Sequence, residues 1–194
     1  SLQLACDLGR DLAEEGPGQL DLARGRRGGL GELVCVCWAD AKYAAKPGAS
    51  RERTRALLAS FHRQVRARPD AMLWAGNAEL ARDARALGAV AGIPGIEGGH
   101  SIEGSLDELE AFFRHGVRVL TLVWNNHLSW IRSCQPGAGA GVPEGLSDFG
   151  REVVQSGQKV GRFERCKSFE RPERVQPGLR HFAELQKSAQ RRGQ

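Results

Sequence analysis

Apolar positions recur every three to four residues over residues 50–68, where Leu57, Leu58, Phe61 and Val65 share one helical face. Ser50 is placed to cap that helix and Pro69 to end it. A second helix is predicted over residues 78–87, and Gly88 leads from it into the apolar run Ala89-Val90-Ala91-Gly92-Ile93-Pro94-Gly95-Ile96. That run reads as a buried strand, with Pro94 as its weak point because proline brings no N–H to a ladder. The clearest unit follows. Ser105-Leu106-Asp107-Glu108 has the form of a capping box, Leu109, Phe112 and Phe113 lie on one face, and Gly116 stops the helix. Residues 117–124 then read as another buried strand, and residues 147–155 as a fourth helix with Asp148 in its first turn. Helix alternating with strand is the signature of a parallel sheet covered by helices, so the predicted class is α/β.

Between the last strand and helix, residues 135–145 form a loop rich in glycine and proline, of the kind that carries binding residues in α/β proteins. Beyond Gln155 the aliphatic clusters thin out. Residues 156–194 read as a basic, poorly ordered or peripheral tail with one short helix near residues 179–187, which leaves residues 1–155 as the folded unit. Charge follows the same division. Of 28 Lys+Arg and 23 Asp+Glu, the tail holds 10 and 4, leaving 18 and 19 in the body, so the tail carries +6 and the body −1. Nucleic-acid binding by that tail lacks interleaved aromatics and any known motif.

The five cysteines, Cys6, Cys35, Cys37, Cys134 and Cys166, are an odd set in a chain of 194 residues, which favours reduced thiols and a cytoplasmic location. In an extended segment Cys35 and Cys37 share one face and read as buried strand thiols rather than zinc ligands. There is no apolar run of the roughly 18 residues that a membrane span needs, and no secretory layout at the N-terminus. The chain opens on Ser1 rather than Met, which leaves room for an upstream piece.

Ile96-Glu97-Gly98-Gly99-His100-Ser101 sets a carboxylate directly after a buried strand, with two glycines permitting a tight turn and a close approach. In a parallel α/β barrel that strand end faces the active site. Glu97-Gly98-Gly99-His100-Ser101 with Ser105-Leu106, then Gly116-Val117-Arg118-Val119-Leu120-Thr121-Leu122 and Asn125-Asn126, then Gly145-Leu146 with Phe149-Gly150 and Val153-Val154, resemble in order and separation consecutive blocks of the membrane (renal) dipeptidase family. The resemblance runs back through Gly28-Gly29-Leu30-Gly31 and Trp38 to Asp7-Leu8, so it spans roughly residues 4–155. It implies a zinc metallopeptidase that hydrolyses dipeptides on a TIM-type (β/α)8 barrel, of which this chain would carry the first three to four βα units. It also implies two zinc ions, with Glu97 as the carboxylate bridging both and Asp7, from the family's His-x-Asp-Leu motif after the first strand, as a ligand of one. Trp124 falls where animal members usually carry a substrate-contacting His, and with Asn125 and His127 it becomes a candidate for the substrate-pocket wall.

Departures from the family pattern shape the functional expectation. The motif's His falls on Ala5, whose methyl group ligates nothing, and Cys6 on an extended strand would point away from Asp7. No Ser-His strand end follows Val153-Val154, and His181, the only later histidine, sits in a helical context. A half-barrel leaves strand edges and an apolar inner face unpaired, so the chain is expected either to pair, as a homo-oligomer or with a missing C-terminal half, or to be a truncated product. The switch of character at Ser156 fits an altered reading frame or a divergent end. Two readings stand: a dipeptidase centre too incomplete to work alone, and a non-catalytic remnant or interaction module of the same fold.

Overall fold

The computed structural model describes residues 2–166. In chain order its elements are α1 (Leu2–Leu8), α2 (Leu22–Arg27), β1 (Glu32–Trp38), α3 (Ala41–Ala44), α4 (Ala49–Ala67), β2 (Met72–Trp74), α5 (Ala78–Ala86), β3 (Val90–Glu97), a 3-10 turn (Gly99–Ile102), α6 (Leu106–Arg114), β4 (Val119–Thr121) and α7 (Asp148–Cys166). All strand pairs are parallel. β1 pairs with β3 from Glu32↔Ala91 to Trp38↔Glu97, while β2 pairs with β3 at Val90 to Gly92 and β4 at Gly95 to Glu97. The architecture is part of a (β/α)8 barrel.

The ladder explains how Pro94 fits a central strand. Val90 N donates to Ala71 O, Ala75 N to Gly92 O and Arg118 N to Pro94 O, all at 2.9 Å, so the even-numbered residues of β3 face β2 and β4. The next donor in that series would come from residue 94, which has none. The lack falls at the junction where β2 has ended and β4 has not begun. Arg118 stitches this junction: its guanidinium donates to Gly76 O at 3.0 Å, to Phe113 O at 3.0 Å and to Val117 O at 2.9 Å, and it lies over the Phe113 ring at 4.1 Å.

Alternation along the strands sorts two cores. On one sheet face Cys35, Cys37, Met72, Val90 and Ile96 pack with Leu57 and Phe61 of α4, Leu2 and Ala5 of α1 and Phe112 of α6. On the other, Leu73 and Ala91 meet Ala81 and Ala84 of α5, small residues that let helix and strand approach closely. Among the described residues that second face is covered by a helix only at its amino-terminal end. Val34, Val36 and Val119 stand 44%, 41% and 38% exposed on it, although parallel sheets are normally covered on both sides. They are contiguous, since a Cβ added at Gly95 would lie 3.0 Å from Val34 and 3.1 Å from Val119.

Several sequence expectations are corrected. Leu2–Leu8 is a helix, not a first strand: Leu2 and Ala5, one turn apart, are 3% and 4% exposed in the core, which turns Asp7 outward. There Arg53 grips both Asp7 carboxylate oxygens, at 2.6 and 2.7 Å, fastening α1 to α4. α4 begins after Gly48, at φ +83°, and Ser50 lies buried in its first turn. The open N–H groups of that turn are taken by the distant Glu103 carboxylate, which accepts from Gly48 N at 2.8 Å and Arg51 N at 3.1 Å. β4 is three residues long rather than eight, because β3 offers that side only Gly95 to Glu97 and Val117 N remains tied to Phe112 O of the preceding helix. The last helix runs on to Cys166, past the boundary expected at Gln155. His181 and the short helix expected near residues 179–187 lie outside the described residues. Among the described residues no helix is long and apolar enough to cross a membrane.

Three outcomes follow from this packing. Burial pushes the Cys35 and Cys37 thiols up to about 12, so brief iodoacetamide treatment of the native chain should label exposed Cys134 and leave both untouched until denaturant is added. Mass spectrometry reads this, and native labelling of Cys35 or Cys37 as fast as Cys134 would contradict the packing. The hydrogen bonds from Arg53 hold the Asp7 carboxyl below its usual value. A carboxyl lowered in the folded state contributes stability that is complete above its unfolded pKa and lost as pH falls through the folded one. Amides of α1 should therefore exchange faster in acid below the ordinary carboxylate range, and Asp7→Asn should show fast exchange already at neutral pH. Arg118→Met keeps much of the stem but removes the guanidinium bonds to Gly76 O, Val117 O and Phe113 O, the last of which keeps the Gly116 N–H, and should lower stability by about 1–3 kcal/mol in chemical denaturation.

Candidate functional site

The carboxyl ends of the strands in a parallel α/β layer collect the turns that differ most freely, and in barrels that face holds the chemistry. Glu97 is the last residue of β3, with Trp38 beside it on β1 and Thr121 on β4. Its half-buried carboxylate makes no hydrogen bond or ion pair with the described residues.

The chain past Glu97 is tied on both sides. Gly98 adopts φ +95° and donates its N–H to Thr121 Oγ1 at 2.8 Å, and Gly99 N donates to Leu122 O at 3.1 Å. Both glycines are required by space: a Cβ added at Gly98 would lie 2.5 Å from His100 Nδ1, and one at Gly99 would lie 2.5 Å from Leu122 O. On the β1 side, His100 Nε2 sits 2.8 Å from Ala39 O, the residue that follows Trp38. A carbonyl only accepts, so Nε2 carries a proton, while Nδ1 is buried with no partner among the described residues. Ser101, fully buried, accepts from Thr54 Oγ1 at 2.9 Å, anchoring the 3-10 turn to α4.

Trp124 does stand at this end of the sheet, its ring edge-on to Trp38 with centroids 5.1 Å apart. Asn125 and His127 belong to a loop that ties several of their acceptor atoms. Asn125 O accepts from Ser133 Oγ at 3.0 Å, Asn125 Oδ1 from Gln135 Nε2 at 3.3 Å, and His127 Nδ1 from Ser133 N at 3.2 Å. Asp7, its carboxylate held by Arg53, lines a cleft of about 370 Å3 with Trp38, Asp40, Lys42, Tyr43 and Arg53. Sequence reasoning missed this cleft, since Arg53 and Tyr43 reach it from polar helix faces that carry no local signal. Asp40, one residue past the end of β1, was the legible clue; its Oδ1 caps α3 by accepting from Lys42 N at 2.9 Å. A larger hollow of about 560 Å3, with Arg26, Arg27 and Arg85 in its wall, lies at the amino ends of the strands beside Gly31 and Ala89, away from Glu97.

Among the described residues no three His, Cys, Asp or Glu side chains converge to hold a metal. Glu97 has a carboxylate to offer, Asp7 is neutralised by Arg53, and the Ala5 methyl is packed in the core. These residues therefore do not fit a two-metal centre.

Solved structures share the fold. The probable dipeptidase PvdM from Pseudomonas aeruginosa superposes with a TM-score of 0.72 at 22% identity, covering 82% of this chain and 42% of its own. A metallo peptidase from Rhodobacter sphaeroides, liganded with a phosphinate mimic of the dipeptide L-Ala-D-Ala, gives 0.67 at 21% identity, covering 82% and 53%. The dipeptidase AC, a metallo peptidase of family M19, gives 0.68 at 22%, covering 82% and 51%. The chain thus spans about half the length of these structures. A family model described as membrane dipeptidase, peptidase family M19, matches residues 2–162, and the chain belongs to that family of metallopeptidases.

Proposed function

We propose that the chain contributes the Glu97 side of a zinc-dependent dipeptide-hydrolysing centre and does not turn over dipeptides by itself. The observation that supports this is the partnerless carboxylate of Glu97 at the end of the central strand, flanked by Trp38 and Thr121. An acid left without a counter-charge at a barrel mouth is suited to a cation, and a carboxylate is a hard donor that zinc accepts. Family membership supplies the activity class, and the dipeptide mimic bound by the Rhodobacter relative supplies the substrate class. Trp38 and Trp124 would wall the substrate with apolar surface and exclude water. Asn125 and His127, held in their loop, would shape the pocket rim, with the Asn125 side-chain NH2 the polar group left to meet a substrate.

Zinc ions need more donors than one carboxylate gives, so the remaining ligands would come from outside the described residues, on a second polypeptide or on further chain. Asp7 is withdrawn as a ligand in this reading, because displacing Arg53 would strand a guanidinium whose side chain is only 13% exposed. The alternative, an interaction module without chemistry, draws on the exposed Val34, Val36 and Val119 face, which fits a second copy or a missing half-barrel. The free thiols at Cys35 and Cys37 support a reducing, cytoplasmic compartment.

The expected result for the chain saturated with zinc is no chelator-sensitive release of amino acids from a panel of dipeptides, including ones with a C-terminal D-residue. Zinc should bind weakly, and Glu97→Gln should abolish what binding there is, whereas Asp7→Asn should leave it unchanged. Chelator-sensitive turnover, or two tightly held zinc ions per chain by elemental analysis, would defeat the reading.

A further inference from the structure

His100 is the most constrained side chain near Glu97 that the functional reading leaves without a task. It is 7% exposed, its Nε2–H has one partner, the Ala39 carbonyl, and its Nδ1 has none. Burying an imidazole with one nitrogen unsatisfied is unfavourable, so the single bond it makes and the place it occupies must be argued for. Ala39, fully buried, follows Trp38, and Trp38 is the register partner of Glu97. The bond therefore joins the chain just past Glu97 to the chain just past its neighbour on β1.

The other side has a matching tie. Thr121 is the register partner of Glu97 on β4, and its hydroxyl accepts the N–H of Gly98. Glu97 thus ends its strand between two cross-links, one to each neighbour, and the left-handed Gly98 between them leaves no slack for a side chain. Residue-by-residue pairing stops here on both sides, and past it one backbone bond, Gly99 N to Leu122 O at 3.1 Å, continues towards β4. Towards β1 the turn is tied by the His100 side chain, and with that tie lost this side of the turn would be freer to move, and the carboxylate with it.

We propose that His100, through its Nε2–H bond to Ala39 O, is a positioning residue that sets the direction of the Glu97 carboxylate, with the Thr121 hydroxyl as its counterpart. The proposal deepens the reading of Glu97 as a metal-facing group and rests on it for its functional meaning, though the positioning itself is independent of any metal. Groups that orient a metal-binding side chain act through just such fixed hydrogen bonds, and their loss weakens metal affinity by roughly 10–100-fold.

The test uses the full chain labelled with 13C in glutamate, with the Glu97 carboxyl signal assigned by its disappearance in Glu97→Gln. At one fixed pH and without metal, His100→Phe, which keeps a ring but loses the donor, should displace the Glu97 signal, and His100→Gln, which restores an amide donor, should return it towards the wild-type position. Thr121→Val should displace it and Thr121→Ser should not, which keeps a second arm open if a variant at position 100 does not fold. A Glu97 signal unmoved in folded His100→Phe and Thr121→Val would overturn the proposal, as would equal displacement in His100→Phe and His100→Gln. Zinc titration of the same samples judges the underlying reading separately. If zinc leaves the wild-type Glu97 signal in place, the metal-facing role fails while the positioning role is still decided by the metal-free spectra. If zinc moves that signal, His100→Phe should raise the apparent zinc dissociation constant at least roughly 10-fold.

Discussion

Everything in this chain hangs on the pairing of one strand. β3 lies against β1 along its whole length and against two short strands laid end to end on its other side. Such a junction is a weak place in a ladder, and the sequence puts there the two residues that suit it. Pro94 brings no N–H where β2 has ended and β4 has not begun, and Arg118 brings a fork of donors to the carbonyls of Gly76, Phe113 and Val117. Because the junction holds, β3 reaches Glu97 in register, and the turn after it falls between Ala39 and Thr121.

Charge does its structural work on the surface of this frame rather than within it. Arg53 with Asp7 fastens α1 to α4, and Glu103 closes the open amides at the start of α4. Arg55 with Glu108, and Arg51 with the same carboxylate, tie α4 to α6. α4 is thus held by three segments through ionic contacts on its outer side while Leu57 and Phe61 bury its inner side. The arrangement accounts for an arginine-rich helix without invoking an acidic partner, and it occupies both oxygens of the Asp7 carboxylate.

Elements that carry their own signal were legible in the sequence. The apolar faces of α4, α5 and α6, the continuous run of β3, the paired thiols of β1 and the placement of Glu97 at a strand end all follow from local pattern, because burial is repeated at the period of the element. What escaped is tertiary. β2 is three residues with no alternation to detect, and β4 is cut short by what β3 has left to offer. The cap of α4 comes from a residue some fifty positions away. α1 was misread because a motif match at Asp7-Leu8 outweighed the one-turn spacing of Leu2 and Ala5, a signal only two residues strong. The tie between His100 and Ala39 was invisible for the same reason: nothing in Gly99-His100-Ser101 announces which carbonyl the ring will find.

The two incomplete features of the molecule share one geometry. Val34, Val36 and Val119 leave a parallel sheet bare on the side where Glu97 also lies, since Val36 and Trp38, Gly95 and Glu97, and Val119 and Thr121 alternate onto the same face. In a closed barrel the carboxyl ends of further strands supply the groups that meet at the mouth. Cover laid over the three valines, at the carboxyl half of this face, would also lie beside Glu97. The bare face and the lone carboxylate are one deficit seen at two heights along the strands, so cover for the valines and partners for Glu97 should arrive together.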